Sequence, residues 1–269
     1  MTTRRDLVRN PPSLLCRQQF TMETYPLLAF LGLVALGSYI QTVSGFAIAL
    51  IIAGGATALG LASVAFTANV ISFVALANTA VAVHSRHSHI DLKILVYASI
   101  GVLILSGVGL MLLNHLSSSS IDVLEILLGV VILASGAMLM FRPHPLKQVS
   151  SNYAHLIAGG FAGLLSGMFG TGGPPLVIHL YRQPLAFPVI RTTLLAILGI
   201  MPVIRIILET FNGNITDDVL EISLYSVPVS VIATVFARRF PPPLSDLAMR
   251  RFAFALLCLL GLSLIVSKI

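Results

Sequence analysis

Ser166-Gly167-Met168-Phe169-Gly170-Thr171-Gly172-Gly173-Pro174-Pro175 lies inside an otherwise apolar stretch of the chain. Its four glycines and two prolines break any continuous helix. In hydrocarbon a broken backbone must find other partners for its N–H and C=O groups, so it survives only where it packs in protein or lines a cavity. A break at membrane depth therefore points to a substrate site.

Outward from that motif, the composition is that of a membrane protein. Of 269 residues, 57% are hydrophobic and only 10% are charged, against about 25% charged in soluble domains. The mean hydropathy is +0.97. Ten apolar segments follow one another, at 26–43, 46–61, 64–84, 92–113, 121–141, 154–170, 173–183, 189–209, 218–237 and 248–267. Many approach the roughly 20 residues that a spanning helix needs. The second of each set of five is short enough to be a re-entrant half-helix. The alternating pattern of an outer-membrane barrel is absent. The expected fold is an all-α polytopic membrane protein.

The two sets of five segments read as a repeat. A shift of 127 positions superposes the segment pattern and pairs Gly32 with Gly159, Gly45 with Gly172, Ile51 with Ile178 and Asp91 with Asp218. An odd number of crossings per repeat makes the two halves inverted, a common transporter design. The expected organisation is a polar basic tail at 1–24, a first transmembrane repeat at 25–142, a linker at 143–152 and a second repeat at 153–269. Met22 is a second candidate start.

The net charge of +6 is no nucleic-acid signal, because the Lys and Arg residues sit in short loops. Arg86 and Lys93, Arg142 and Lys147, Arg182 and Arg191, and Arg238, Arg239, Arg250 and Arg251 mark four basic loops. The polar or acidic stretches 114–122 and 212–218 alternate with them. The positive-inside rule places the basic loops in the cytoplasm. With ten crossings both termini then face outward, to which the basic N-terminal tail objects; eight or nine crossings stay open. Cys16 and Cys258 are too far apart in sequence to suggest a metal or disulfide framework.

The Gly-rich motif has a chemical use. Glycines let the backbone approach a ligand, and Pro174 and Pro175 suit the first turn of a new helix. Such a helix aims its N–H groups and positive dipole end at the break, which makes an anion site. Ser166 and Thr171 add hydroxyl donors beside Gly167, Gly170, Gly172 and Gly173. The alternative is close packing of small residues with a proline kink. In the first half, Gln41-Thr42-Val43-Ser44-Gly45-Phe46 stands at the corresponding place. Gln41, Thr42 and Ser44 could donate to an oxyanion beside Gly45, or form a polar patch between helices.

Arg205 stands in an apolar run and falls opposite Asn78 under the shift. It could neutralise an anionic substrate, pair with Glu209 one turn on, or snorkel to the interface. Asn69 and Asn78 suit interhelical hydrogen bonds, and His179 suits packing better than proton carriage. His84, His87 and His89 lie beside Asp91, but an interfacial loop explains them better than a metal site. No Walker loop, HExxH, CxxC or GxSxG motif occurs, and Ser166 with His155 or His179 makes no hydrolase pair. No enzyme activity, metal or cofactor is expected.

The run Gly163-Leu-Leu-Ser-Gly-Met-Phe-Gly-Thr-Gly-Gly-Pro-Pro-Leu resembles the TauE/SafE family of membrane transporters. The resemblance extends from about Pro26 onward. The first half departs from the family's pattern, since Gln41 to Phe46 replaces most of the expected glycines. The resemblance implies transport of sulfur-containing anions (sulfite, sulfoacetate or related organosulfonates) across the bacterial inner membrane, usually as export. The expected function is a secondary transporter working by alternating access. The expected partners are the lipid bilayer and a small anion, with a homodimer open and no nucleic acid. An anion channel and a membrane-embedded scaffold or enzyme subunit are the rival readings.

Overall fold

A computed structural model describes residues 24–44, 47–83, 90–140, 146–240 and 246–268. The described residues form ten helices and no strand. They are α1 (Thr24–Ser44), α2 (Ile48–Ala58), α3 (Val64–Val83), α4 (Leu92–Ser119), α5 (Ile121–Met140), α6 (Asn152–Phe169), α7 (Gly173–Tyr181), α8 (Phe187–Phe211), α9 (Asp217–Arg239) and α10 (Asp246–Val266). Each apolar segment of the sequence has become one helix. Six of them, α1, α3, α4, α5, α8 and α9, are long and apolar enough to cross a membrane.

The largest departure is at the end of α4. The polar stretch from Asn114 reads as a loop, yet the helix continues to Ser119. Ser118 and Ser119 donate their hydroxyls to the His115 carbonyl, at 2.9 and 2.6 Å. Back-bonding of this kind lets serines sit in a helical turn, where apolarity gives no warning. Helix starts are capped as the side chains allow. Asp91 accepts from the Ile94 N–H at 3.0 Å, Ser151 caps α6, and Thr216 caps α9. The Asp91 carboxylate is thus a helix cap, and the three histidines near it lie outside the described residues.

Close helix packing follows from small residues. On α6, side chains at Gly159, Gly163 and Gly167 would run into the backbone of α4 at Ala98, Val102 and Ser106. Both series advance by four residues, so α4 and α6 run parallel. The small-residue spacing lets two backbones meet where lipid offers no hydrophobic drive to association. Elsewhere α5 packs on α10 with Gly129 against Gly261 and Gly136 against Leu257, a series that runs antiparallel.

The two short helices fold back on the helices before them. Gly37 of α1 faces Ile48, the first residue of α2, and Leu33 faces Gly55 further along α2. In the second half Gly172 faces Ala162, and at the far end of α7 His179 Nε2 lies 2.8 Å from His155 Nδ1. At about 1.5 Å per residue, 11 and 9 residues cover about half of a hydrocarbon core of about 30 Å. The returning arm of the second hairpin is therefore part irregular backbone, at Thr171 and Gly172, and part half-helix. Gln183 closes the α6–α7 hairpin, its amide bonded to the Ser150 N–H, the Ser150 hydroxyl and the His179 carbonyl.

Candidate functional site

The Gly-rich motif ends one helix and starts another. Gly170 takes φ +69° at the C-terminus of α6 and returns its N–H to the Ser166 carbonyl at 2.9 Å. That left-handed turn suits glycine. Thr171 and Gly172 carry the chain back, and α7 opens with Gly173, Pro174 and Pro175. The two prolines have no N–H, so the amide donors at this helix start come from the glycines beside them. Gly172 has no room for a side chain, which would run into the Met201 methyl and the Ala162 carbonyl.

In the first half, Gln41 takes the part of a capping residue. Its Oε1 accepts the N–H of Ile48 at 3.2 Å, which leaves the amide NH2 to donate elsewhere. Ala47 precedes α2 with φ +118°. This is a strained conformation for a residue with a Cβ.

The two breaks meet. One cavity of about 80 Å³ is lined by Gln41, Ala47, Ile48 and Ala49 from the first break. Ser166, Gly170, Thr171, Gly172 and Gly173 line it from the second. The crossing helices α3 and α8 close it, through Ala75, Asn78 and Thr79 on one side and Leu195, Leu198, Met201 and Pro202 on the other. Its volume suits a small ion and falls below the pockets of about 300–1,000 Å³ that hold drug-sized ligands. Its wall combines the polar residues Gln41, Asn78, Thr79, Ser166 and Thr171 with apolar side chains. Pro202 stands within α8; lacking an N–H, it leaves the Leu198 carbonyl without its helical donor.

The structure thus gathers Gln41, Ser166, Gly170, Thr171, Gly172 and Gly173 of the sequence-predicted site. It places four others away from the cavity wall. Gly167 packs its Cα against α4. Pro174 is buried in the first turn of α7. Thr42 donates to the Ser38 carbonyl at 2.8 Å, within its own helix. Gly45 and the Ser44 side chain lie outside the described residues.

Arg205, the fourth, sits behind the wall. It is 1% exposed, the largest of the fully buried side chains. One guanidinium nitrogen donates to the Ser166 and Gly167 carbonyls at the end of α6. The other donates to Asn69 Oδ1 at 3.0 Å and to Glu209 Oε1 at 3.2 Å. Glu209 Oε2 takes the amide of Asn214 at 2.7 Å, and the Asn69 amide donates to the Asn214 carbonyl at 3.2 Å. The pairing with Glu209 was one of the readings open for Arg205. The contact with the α6 carbonyls was not legible, because Ser166 is 39 residues away.

Asn69 makes the interhelical bonds expected of it, and Asn78 does not. Asn78 is 4% exposed and lines the cavity, and its Nδ2 has no hydrogen-bond partner among the described residues. Sequence reading missed this; the available signal was a lone amide in an apolar helix opposite the break. His179 is paired with His155 and stands off the wall, in keeping with a packing role.

Comparison with known proteins places the chain in a family. The model of the sulfite exporter TauE/SafE family matches residues 28–264. A probable sulfite/organosulfonate exporter TauE of Cupriavidus necator is 42% identical over 244 residues, covering 91% of this chain and 95% of the relative. A probable membrane transporter protein of Methanocaldococcus jannaschii is 26% identical over 226 residues, covering 78% and 81%. No solved structure matches. The chain belongs to the TauE/SafE family and is a multi-pass membrane transporter.

Proposed function

We propose that this TauE/SafE transporter exports small sulfur-containing anions, sulfite or an organosulfonate, across the bacterial inner membrane. The observation that carries the reading is a small cavity in which both helix breaks meet. Substrate sits there against the amides of Gly172 and Gly173, with Gln41, Ser166 and Thr171 as side-chain donors. The positive end of α7 favours negative charge at that place. The names of the relatives match this chemistry.

Transport proceeds by alternating access between two inverted halves, residues 25–142 and 153–269, joined by a linker at 143–152. Support comes from packing. α5 and α10 occupy equivalent places in the two halves and lie antiparallel, as a two-fold axis in the membrane plane requires. Rocking of one half against the other opens the cavity to either side. The negative interior of the cell drives an anion outward. Cytoplasmic placement of Lys93, Lys147, Arg182 and Arg191 satisfies the positive-inside rule. A homodimer is part of the proposal for which only purification in detergent gives a test.

Radiolabelled sulfite and sulfoacetate flux in proteoliposomes tests the reading, with Gly172→Leu as the blocked control. Saturable flux with counterflow is the expected result, and its loss in Gly172→Leu ties it to the cavity. Flux that does not saturate points to a channel. Flux no greater than in empty liposomes, from folded protein, overturns the substrate assignment.

A further inference from the structure

Among the described residues that line the cavity none carries an ionisable side chain. The nearest buried cation is already matched. Arg205 and Glu209 form an ion pair at 3.2 Å, with side chains 1% and 2% exposed. The Arg205 charge lies behind the Ser166 and Gly167 carbonyls, to which it donates. The described wall therefore meets an anion with neutral dipoles: glycine amides, hydroxyls and side-chain amides.

Neutral dipoles set a limit on charge. The cost of taking an ion out of water rises as the square of its charge, about fourfold from one charge to two. The attraction of fixed dipoles only doubles, roughly. A wall without a counter-charge thus favours a single negative charge.

We propose that the cavity accepts its anion as a monoanion, a sulfonate group or bisulfite, and that Asn78 is a specificity-determining donor to it. This rests on the transport reading above. Asn78 carries the second, independent pointer to a ligand, because the residue lines the cavity and its Nδ2 is buried and unpartnered among the described residues. A buried NH2 without an acceptor is costly, and an oxyanion supplies the acceptor. Wall residues also serve a hydrogen-bearing monoanion. Pro202 leaves the Leu198 carbonyl without its helical donor, and both residues line the cavity.

The test is competition among three anions in proteoliposomes: methanesulfonate, a monoanion throughout, sulfate, a dianion, and sulfite, which changes between the two near neutrality. Saturable methanesulfonate flux, independent of pH and at least about tenfold above sulfate, is expected. Sulfite flux is expected to follow the bisulfite fraction and fall on the alkaline side. Sulfate carried as fast as methanesulfonate, or sulfite flux that rises on the alkaline side, overturns the charge assignment. Absence of saturable flux for all three removes the transport reading, and this inference with it. Asn78→Ala is expected to raise the methanesulfonate concentration for half-saturation about tenfold. Asn78→Asp keeps the side-chain shape, replaces a donor with an acceptor, and is expected to abolish the flux. Half-saturation unchanged in both folded variants removes Asn78 from the site.

Discussion

In the second half the chain leaves α6 through Gly170 at φ +69° and enters α7 through Gly172 and Gly173, with no side chain in the way. In the first half Ala47 makes the equivalent entry to α2 at φ +118°, Cβ in place, while Gln41 reaches back to cap Ile48. Both breaks face one cavity. The contrast recurs at the two positions that correspond under the 127-residue shift. Asn78 lines the cavity with its Nδ2 unpaired, whereas both terminal guanidinium nitrogens of Arg205 are engaged behind it, holding the end of α6 to α3 and α8. One half presents an unpaired donor to the site, and the other fixes the backbone that forms the site's floor. Similar segment rhythm in two halves is therefore compatible with different chemistry at equivalent places.

Removing Arg205 breaks the comparison most severely. Arg205→Ala leaves Glu209 buried without its counter-charge and removes the guanidinium donor from the Ser166 and Gly167 carbonyls. A loss of about 3–5 kcal/mol in thermal or denaturant stability is expected. The double variant Arg205→Met, Glu209→Gln removes both charges and is expected to recover most of that loss. Equal losses in the single and double variants would mean that the pair is not what holds α6.

Gly172→Ala is next. Its methyl meets the Met201 Cε and the Ala162 carbonyl, and backbone cannot yield as a side chain does. An expected cost of about 1–3 kcal/mol is readable as a lower melting temperature in detergent. Retention of wild-type stability would show that the hairpin has slack at this point.

The first half predicts the opposite sign. Ala47→Gly relieves a positive φ, so the protein is expected to gain about 1 kcal/mol by the same melting assay. A destabilised Ala47→Gly would show that the methyl packs well enough to outweigh the strain. Together the two glycine–alanine exchanges, one in each direction, measure how differently the two breaks are built.

Most of the architecture was legible because hydrocarbon imposes it. Segment lengths and apolar runs gave ten helices with boundaries near those observed, since a lipid-facing backbone has few alternatives to helix. The exception at the end of α4 came where serine back-bonding, invisible to hydropathy, extended the helix. The site was legible in part. Gly170, Gly172 and Gly173 announce a break by chemistry alone, Ser166 stands in the same motif, and Gln41 followed from the repeat.

The sequence by itself determined that this chain is a multi-pass helical membrane protein with a deliberate break in its second half, because composition and glycine–proline spacing act locally; the first-half counterpart came from the repeat. Only the tertiary structure decided which polar residues reach the cavity. Thr42 turned to its own helix, Arg205 turned to the carbonyls of α6, and Asn78 was left at the cavity wall with its Nδ2 unpaired. The Arg205 contacts depend on partners 39 and 136 residues away, brought together by helix packing. No local pattern records which of several acceptors a buried donor will find.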